Sequence, residues 1–314
     1  MKEFMNKIQA ADTIAILGHI RPDGDCIGSC LGLYNYIRDN MSDKTVKVYL
    51  QPIMDKFAFL KGADMIVSTP EDVIYDLAVS LDCGDTDRHG EFSHIFANAK
   101  DTICLDHHRS NTGFGNYYFC DPDASSCCEV LCRFLDMDKI SYDAAEPLYL
   151  GIIHDTGVLK YPSTSEETMK CAGELIAKGV RTQYIIDETF YKVTYRQNRL
   201  TGKALLNAKL HLDDKVISTC VTKEMFDEFG ATKDDTDGIV DKIRVTEGVE
   251  VAIFVYQLSE DVFKFSLRSV SYVDVSKIAV AFGGGGHIRA SGFEAKGDYN
   301  KNFNIILDMI KEQL

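Results

Sequence analysis

Between residues 13 and 155, short apolar runs rich in β-branched residues alternate with longer amphipathic stretches, the pattern of an α/β domain built on a mostly parallel sheet. Thr13-Ile14-Ala15-Ile16-Leu17-Gly18, Leu77-Ala78-Val79-Ser80-Leu81 and Thr102-Ile103-Cys104 read as buried strands, with minor strands at 46–50 and 65–67. Helices are expected over 27–39, 126–137, 142–153 and 165–178, and Ser125 or Ser126 can cap the second ahead of Glu129. The stretch 185–210 is polar and helical in propensity and carries Tyr195-Arg196-Gln197-Asn198-Arg199, so it can bridge two lobes. Beyond it the texture changes to strands at 216–221, 249–256 and 262–267, followed by a helix at 273–281. The expected organisation is α/β throughout: a parallel-sheet domain over 1–188, a helical linker over 189–210, and a smaller mixed α/β domain over 211–314. A length of 314 residues agrees, since it exceeds what one compact core usually serves.

Each strong apolar run of the first part ends abruptly in acid or histidine. The first runs into His19 and Arg21-Pro22-Asp23-Gly24-Asp25, the second into Asp82, the third into Leu105-Asp106-His107-His108, and Leu150-Gly151-Ile152-Ile153 into His154-Asp155. Carboxylates and imidazoles delivered to one place by four apolar elements are what a polynuclear metal site requires. Taken alone, Asp23-Gly24-Asp25 reads equally well as an Asx-rich turn capping the next helix, and Asp155 as a cap for the segment beyond Thr156-Gly157. His19 at a strand end and the unpaired Asp82 favour the metal reading, because a lone buried carboxylate is costly unless a cation or donor satisfies it. The four charges of Asp23, Asp25, Asp82 and Asp155 match two divalent cations. A set of oxygens and imidazoles without thiolate suits manganese, with magnesium, cobalt or iron as alternatives. Two such ions, ~3.5–4 Å apart, can activate a water and clamp a phosphoryl group.

Charge narrows the partners. With 34 basic and 48 acidic residues the net charge is -14, which excludes long nucleic acids, whose non-specific binding depends on phosphate neutralisation by Lys and Arg. A phosphate-bearing substrate must be short or held by metal ions. The ten cysteines form no Cys-x-x-Cys pair, and several lie inside apolar runs, so they read as reduced core residues. Cys26 and Cys30, and Cys120, Cys127, Cys128 and Cys132, lack the spacing of an iron–sulfur or zinc site. Met1 is followed by Lys2, Glu3 and an amphipathic stretch, and no apolar run is long enough for a signal or a membrane span. A cytoplasmic protein with no membrane partner is expected.

The second lobe contains Gly283-Gly284-Gly285-Gly286-His287. It does not sit in an early strand-to-helix turn and no ribose-binding acid comes after it, so it is not a dinucleotide fingerprint. Consecutive glycines let backbone N–H groups converge on an anion, with His287, Arg289 and Ser291 able to add donors. Arg268, at the end of a strand, is a second phosphate candidate.

These motifs in this order resemble the DHH phosphoesterase family, and the glycine loop resembles that of its DHH-associated C-terminal domain. The likeness runs from Gly18 to Gly292 and is strongest to the NrnA-type branch of bifunctional oligoribonuclease and PAP phosphatases. It implies a manganese-dependent phosphohydrolase that degrades very short oligonucleotides (nanoRNA, pApA) to mononucleotides by two-metal hydrolysis and also acts on PAP. The alternatives are a cyclic di-AMP phosphodiesterase and a non-catalytic nucleotide-binding module; family II pyrophosphatases share the metal motifs but have a Lys/Arg motif in place of the glycine loop. By this resemblance His19, Asp23 and Asp82 hold one ion, and Asp25, Asp82, His107 and Asp155 hold the other, with Asp82 bridging. Asp106 orients His107, and His108 faces the scissile phosphate. Arg268, Gly285, Gly286, His287 and Ser291 bind the far end of a short RNA or dinucleotide in a cleft between the lobes, and a homodimer is the family expectation. Val158 and Leu159 stand where many relatives have arginine and phenylalanine, and His154 replaces a smaller residue; these bear on base stacking and substrate choice.

Overall fold

The computed structural model describes residues 2–314, which divide into two compact units, one ending at Lys192 and the other Val193–Leu314. In the first unit the elements run α1 (Lys2–Ala10), β1 (Thr13–Leu17), α2 (Gly24–Asn40), β2 (Thr45–Tyr49), β3 (Ile66–Val67), β4 (Leu77–Leu81), α3 (Ser93–Asn98), β5 (Asp101–Asp106), β6 (Tyr117–Cys120), α4 (Cys127–Cys132), α5 (Tyr142–Asp155), α6 (Glu166–Ile176) and α7 (Thr182–Ile186). The six strands form one all-parallel sheet in the order β3-β2-β1-β4-β5-β6.

Parallel strands covered on both faces read as continuous apolar runs, and β1 shows why. Ile14 and Ile16 pack with Ile27, Leu31 and Ile37 of α2, whereas Ala15 and Leu17 pack with Tyr49, Tyr75, Phe92 and Phe96. Helices α2 and α5 approach closely through glycine: a Cβ on Gly28 would lie 2.5 Å from the Pro147 carbonyl oxygen and 3.0 Å from the Gly151 nitrogen.

The second unit begins with α8 (Tyr195–Leu206) and continues β7 (Lys209–His211), β8 (Val216–Val221), α9 (Lys223–Phe229), α10 (Ile239–Arg244), β9 (Val251–Ser259), β10 (Val262–Ser269), α11 (Val275–Ala281), β11 (Gly285–His287), β12 (Ala290–Lys296) and α12 (Tyr299–Lys311). Its sheet has the order β11-β12-β10-β9-β8-β7, with only β8 and β9 parallel. One face carries α11 and α12 through Val275, Ile278, Phe303, Ile306 and Ile310. The other is covered by α8, α9 and α10, with Leu200, Ala204, Met225, Ile239 and Ile243 against Ile217, Ala252 and Phe254. The segment 189–210 therefore contains a helix whose apolar side is packed inside the second unit.

Several bounds differ from expectation for local reasons. α2 starts at Gly24 because Asp23 caps it, accepting N–H groups from Asp25 and Cys26. α4 stops at Cys132, and Asp136 instead caps a separate 3-10 turn, Met137–Lys139. Strand β9 starts after Glu250, whose buried carboxylate accepts the N–H groups of Ser271, Tyr272 and Val273. The glycine loop is not open: Gly285–His287 is a short strand paired antiparallel with β12. All ten cysteines are free, with Cys120 and Cys220 alone partly exposed.

His89 is buried against Phe96 and Phe114, with Nε2 2.7 Å from Ser80 Oγ and Nδ1 unpartnered. Burial pushes its pKa down to about 4, against an ordinary value of about 6.5. The unfolded chain therefore binds this proton first, and stability falls as pH drops from about 6.5 to about 4. Replacing His89 by Gln is expected to flatten unfolding free energy against pH in that window by about 1.4 kcal/mol per pH unit, one proton's worth. Urea titrations at stepped pH check this; an unchanged slope would show that His89 does not stay neutral in the fold.

Candidate active site

In an open parallel sheet the natural crevice lies beyond the carboxyl ends of the strands where strand order reverses, here between β1 and β4. His19 comes two residues after β1, Asp82 comes directly after β4, and Asp106 closes β5 ahead of His107 and His108. Asp23 caps α2, Asp25 lies in its first turn, and Asp155 is the last residue of α5. The sequence-predicted metal residues thus come together from three strand ends and two helix ends.

The geometry centres on Asp82, which is 2% exposed. Its Oδ2 is 3.5 Å from His19 Nε2, which is 3.7 Å from Asp23 Oδ2. Its Oδ1 is 3.5 Å from His107 Nε2, which lies 3.7 Å from Asp25 Oδ2 and 3.2 Å from Asp155 Oδ2. One carboxylate therefore faces two clusters, one oxygen to each. Asp82 has φ of 59°, a left-handed conformation that aspartate tolerates better than most residues.

Supporting contacts fix the other side chains of the two clusters. His19 Nδ1 lies 2.8 Å from the Ile20 carbonyl, which directs Nε2 inward. Asp23 divides its oxygens: Oδ1 caps α2 while Oδ2 faces His19, so the cap and metal readings are compatible. Asp25 is fully buried and accepts N–H groups from Cys127 at 2.6 Å and Cys128 at 3.0 Å. A Cβ on Gly151 would lie 2.7 Å from Asp25 Oδ1, so glycine is needed there for α5 to pass. Asp106 departs from expectation. Its Oδ1 is 2.8 Å from His108 Nδ1 and its Oδ2 accepts from Asn111 Nδ2 at 2.7 Å, so it orients His108 rather than His107. Side chains two apart at a strand end point the same way, which explains the pairing. Asn111 was not singled out from sequence, where a lone asparagine in a polar loop carries no signal.

The electrostatics show an excess of negative charge. Burial, then the neighbouring Asp82 and Asp155 carboxylates, raise the Asp25 pKa, and burial likewise raises that of Asp155. Burial disfavours charged His107, yet Asp155 and Asp82 outweigh it and lift its pKa to about 12. His19 is likewise raised against its burial by Asp23 and Asp82. Asp82 Oδ1 is buried without a hydrogen-bond partner, which costs free energy unless a cation satisfies it. His19 with Asp82, Asp82 with His107 and His108, and Asp25 with His107 and Asp155 form groups able to hold a metal ion. The residues present therefore fit divalent cations. Cys26 joins the first group; its missing Cys-x-x-Cys context gave no signal in the sequence.

In the second unit, Gly285, Gly286 and His287 are exposed on edge strand β11. Register aligns His287 with Ala290, and Ala290 with Arg268, so His287 and Arg268 share one sheet face with Ala290 between them. Arg268 Nε is 4.0 Å from Asp241 Oδ1. Ser291 is buried and donates to the Val275 carbonyl at 2.6 Å, and Arg289 donates to the Val273 carbonyl at 2.9 Å. Both side chains are already committed to tying β12 and its hairpin to neighbouring segments.

Comparison with known proteins agrees with this architecture. The DHH family N-terminal domain matches residues 13–152, and the DHHA1 domain matches residues 213–314. The bifunctional oligoribonuclease and PAP phosphatase NrnA of Thermus thermophilus is 30% identical over 96% of this chain and 90% of its own. This chain belongs to the DHH phosphoesterase family. A probable protein of the same name from Streptococcus mutans is 31% identical over 93% of this chain and 92% of its own. The crystal structure of an exopolyphosphatase-related protein from Bacteroides fragilis superposes with TM-score 0.84 at 28% identity, covering 99% of this chain and 95% of that one. This DHH phosphoesterase is accordingly a hydrolase of phosphoric esters, and among its described residues no helix is long and apolar enough to cross a membrane.

Asp82→Asn relieves repulsion of Asp25 and Asp155 but weakens the contacts to His19 and His107, so it is expected to change the melting temperature of metal-stripped protein little. The rise that divalent cation gives the parent, which comes from preferential binding to the folded state, should vanish. Thermal melts with and without cation test both halves, and a full cation-induced rise in Asp82→Asn would remove Asp82 from the site.

Proposed function

We propose that this DHH phosphoesterase is a two-cation phosphohydrolase that cuts very short oligonucleotides, including linear dinucleotides such as pApA, to mononucleotides, and that also dephosphorylates PAP. The observation that carries this reading is the Asp82 carboxylate, with one oxygen facing His19 and Asp23 and the other facing His107, Asp25 and Asp155. His19, Asp23 and Asp82 would hold one cation and Asp25, Asp82, His107 and Asp155 the other. The oxygen and imidazole donors suit manganese, with magnesium or cobalt as alternatives. Bound there, the cations would neutralise phosphoryl oxygens and acidify an attacking water.

The chain's own groups do the rest. His108 is partly exposed, and Asp106 holds its Nδ1, leaving Nε2 free for a phosphoryl oxygen or the leaving group. The Asp106 hydrogen bond, opposed by burial, raises the His108 pKa, a shift toward the protonated ring that a departing oxygen needs. Arg268 and His287, on one sheet face of the second unit, would bind the rest of the nucleotide, with Gly285 and Gly286 giving it close access to backbone. A net charge of -14 is compatible with such a substrate because only a few phosphates have to be held.

The deciding experiment is a time course with manganese on di- to heptanucleotide RNA, pApA, PAP and cyclic di-AMP side by side. Fast loss of the shortest RNAs, pApA and PAP, with the cyclic compound intact, is expected; preferential opening of cyclic di-AMP would overturn the reading. Asp106→Asn should lower kcat about 10–100-fold with little change in KM, since it frees a ring whose position matters in the transition state. His287→Ala should raise KM for pApA and spare a small chromogenic phosphodiester. Equal losses on both substrates would contradict a role in holding the nucleotide.

A further inference from the structure

We infer that His154 is a positioning residue for the cation centre: its imidazole, oriented by Thr189, occupies the space of a side chain at Gly24 and so fixes the Asp23-Gly24-Asp25 turn. This deepens the two-cation reading above and rests on it.

The two carboxylates of that turn are held unequally. Asp25 is fully buried and receives the Cys127 and Cys128 N–H groups from another helix. The Asp23 side chain is 58% exposed, and its hydrogen bonds come from the Asp25 and Cys26 N–H groups, within its own turn. The course of the backbone there therefore decides where Asp23 Oδ2 stands. Gly24 does not have a left-handed φ that would call for glycine. What excludes a side chain is His154: a Cβ on Gly24 would lie 2.5 Å from its Nδ1 and 2.6 Å from its Cβ, closer than atoms in contact can come. The ring rests against the Gly24 backbone and leaves the turn no room to move toward it.

The ring is itself held. Its Nε2 is 3.0 Å from Thr189 Oγ1, whose own proton goes to the Ile185 carbonyl at 2.7 Å, so Nε2–H is the donor. Phe57 meets the ring edge-on with centroids 5.3 Å apart, and the Phe190 centroid lies at 4.4 Å. Lys56 Nζ donates to the Thr189 carbonyl at 3.2 Å. Thr189 and Phe190 belong to the π-helical turn Asp187–Tyr191 just before the end of the first unit, and such turns are rare and frequent at functional sites. His154 is in none of the groups able to hold a metal ion. It acts through Gly24.

Manganese titration calorimetry on metal-stripped full-length protein, with thermal melts of the same samples before titration, tests this. His154→Ala should weaken manganese binding about tenfold or more. Thr189→Val, which keeps the shape and removes the acceptor, should weaken it by less. A residue that only filled space would lower the metal-free melting temperature and leave the affinity of the folded protein unchanged; that result in His154→Ala would overturn the inference. Gly24→Ala supplies a second arm. In the parent its Cβ meets the ring and should weaken binding, whereas in His154→Ala the space is open and the added substitution should cost nothing further. Equal losses in both backgrounds would overturn the inference by removing His154 from the effect. If His154→Ala does not fold, Thr189→Val and Gly24→Ala decide, and parental affinity in both overturns the positioning role while leaving the two-cation reading standing. No manganese binding by the parent would overturn both.

Discussion

Four aspartates drawn to one place, with Asp25 and Asp82 buried, set the terms for the first unit. Carboxylates at such a site are unfavourable unless something compensates them, and the fold meets that cost unevenly. Asp25 is held by two backbone N–H groups at the start of α4, and Asp23 uses one oxygen as a helix cap. Asp82 Oδ1 faces the His107 ring without receiving a hydrogen bond from the protein. The compensation left out at Asp82 is the part of the structure that makes the centre a cation site rather than a polar core.

The scaffold that tolerates this arrangement is rigid where it must be. Helices α2 and α5 cross at glycine, which brings Asp25 and Asp155 to the same strand ends. Backbone strain collects around the same place. Asp82 is left-handed, and so are Gly157, Val158 and Leu159 just beyond Asp155, although a β-branched residue rarely adopts that conformation. Buried Thr156 holds that turn: its hydroxyl donates to the Ile152 carbonyl and accepts from Leu159 N–H, and its carbonyl accepts from Lys160 and Tyr161. Strain of this sort persists when surrounding contacts over-determine it, and it clusters at functional sites.

The second unit is organised around its sheet. Glu250 gathers the loop after β10, and Ser291 and Arg289 fix the hairpin that ends in β11 and β12. What stays exposed is the edge: His287 and the glycines, in line with Arg268 across Ala290. The polar residues near the glycine run thus divide between those that build the hairpin and those it presents.

Much of this was legible in the amino-acid order. Apolar runs buried on both faces announce a parallel sheet whatever surrounds them, and acids and histidines at their ends mark the site because each is misplaced as core. The pairing of Asp106 with His108 was not legible as a contact, since it depends on which way two neighbouring side chains turn at the end of β5. Strand β6 escaped notice because its half-exposed residues alternate weakly. The sequence alone thus determined which acids and histidines stand at the ends of the apolar elements, because periodicity and the cost of burying charge are local properties. Only the tertiary structure decided that Asp82 divides its oxygens between two clusters and that Cys26 stands within reach of one. Both are distances between segments far apart in the chain, and those distances are set by packing.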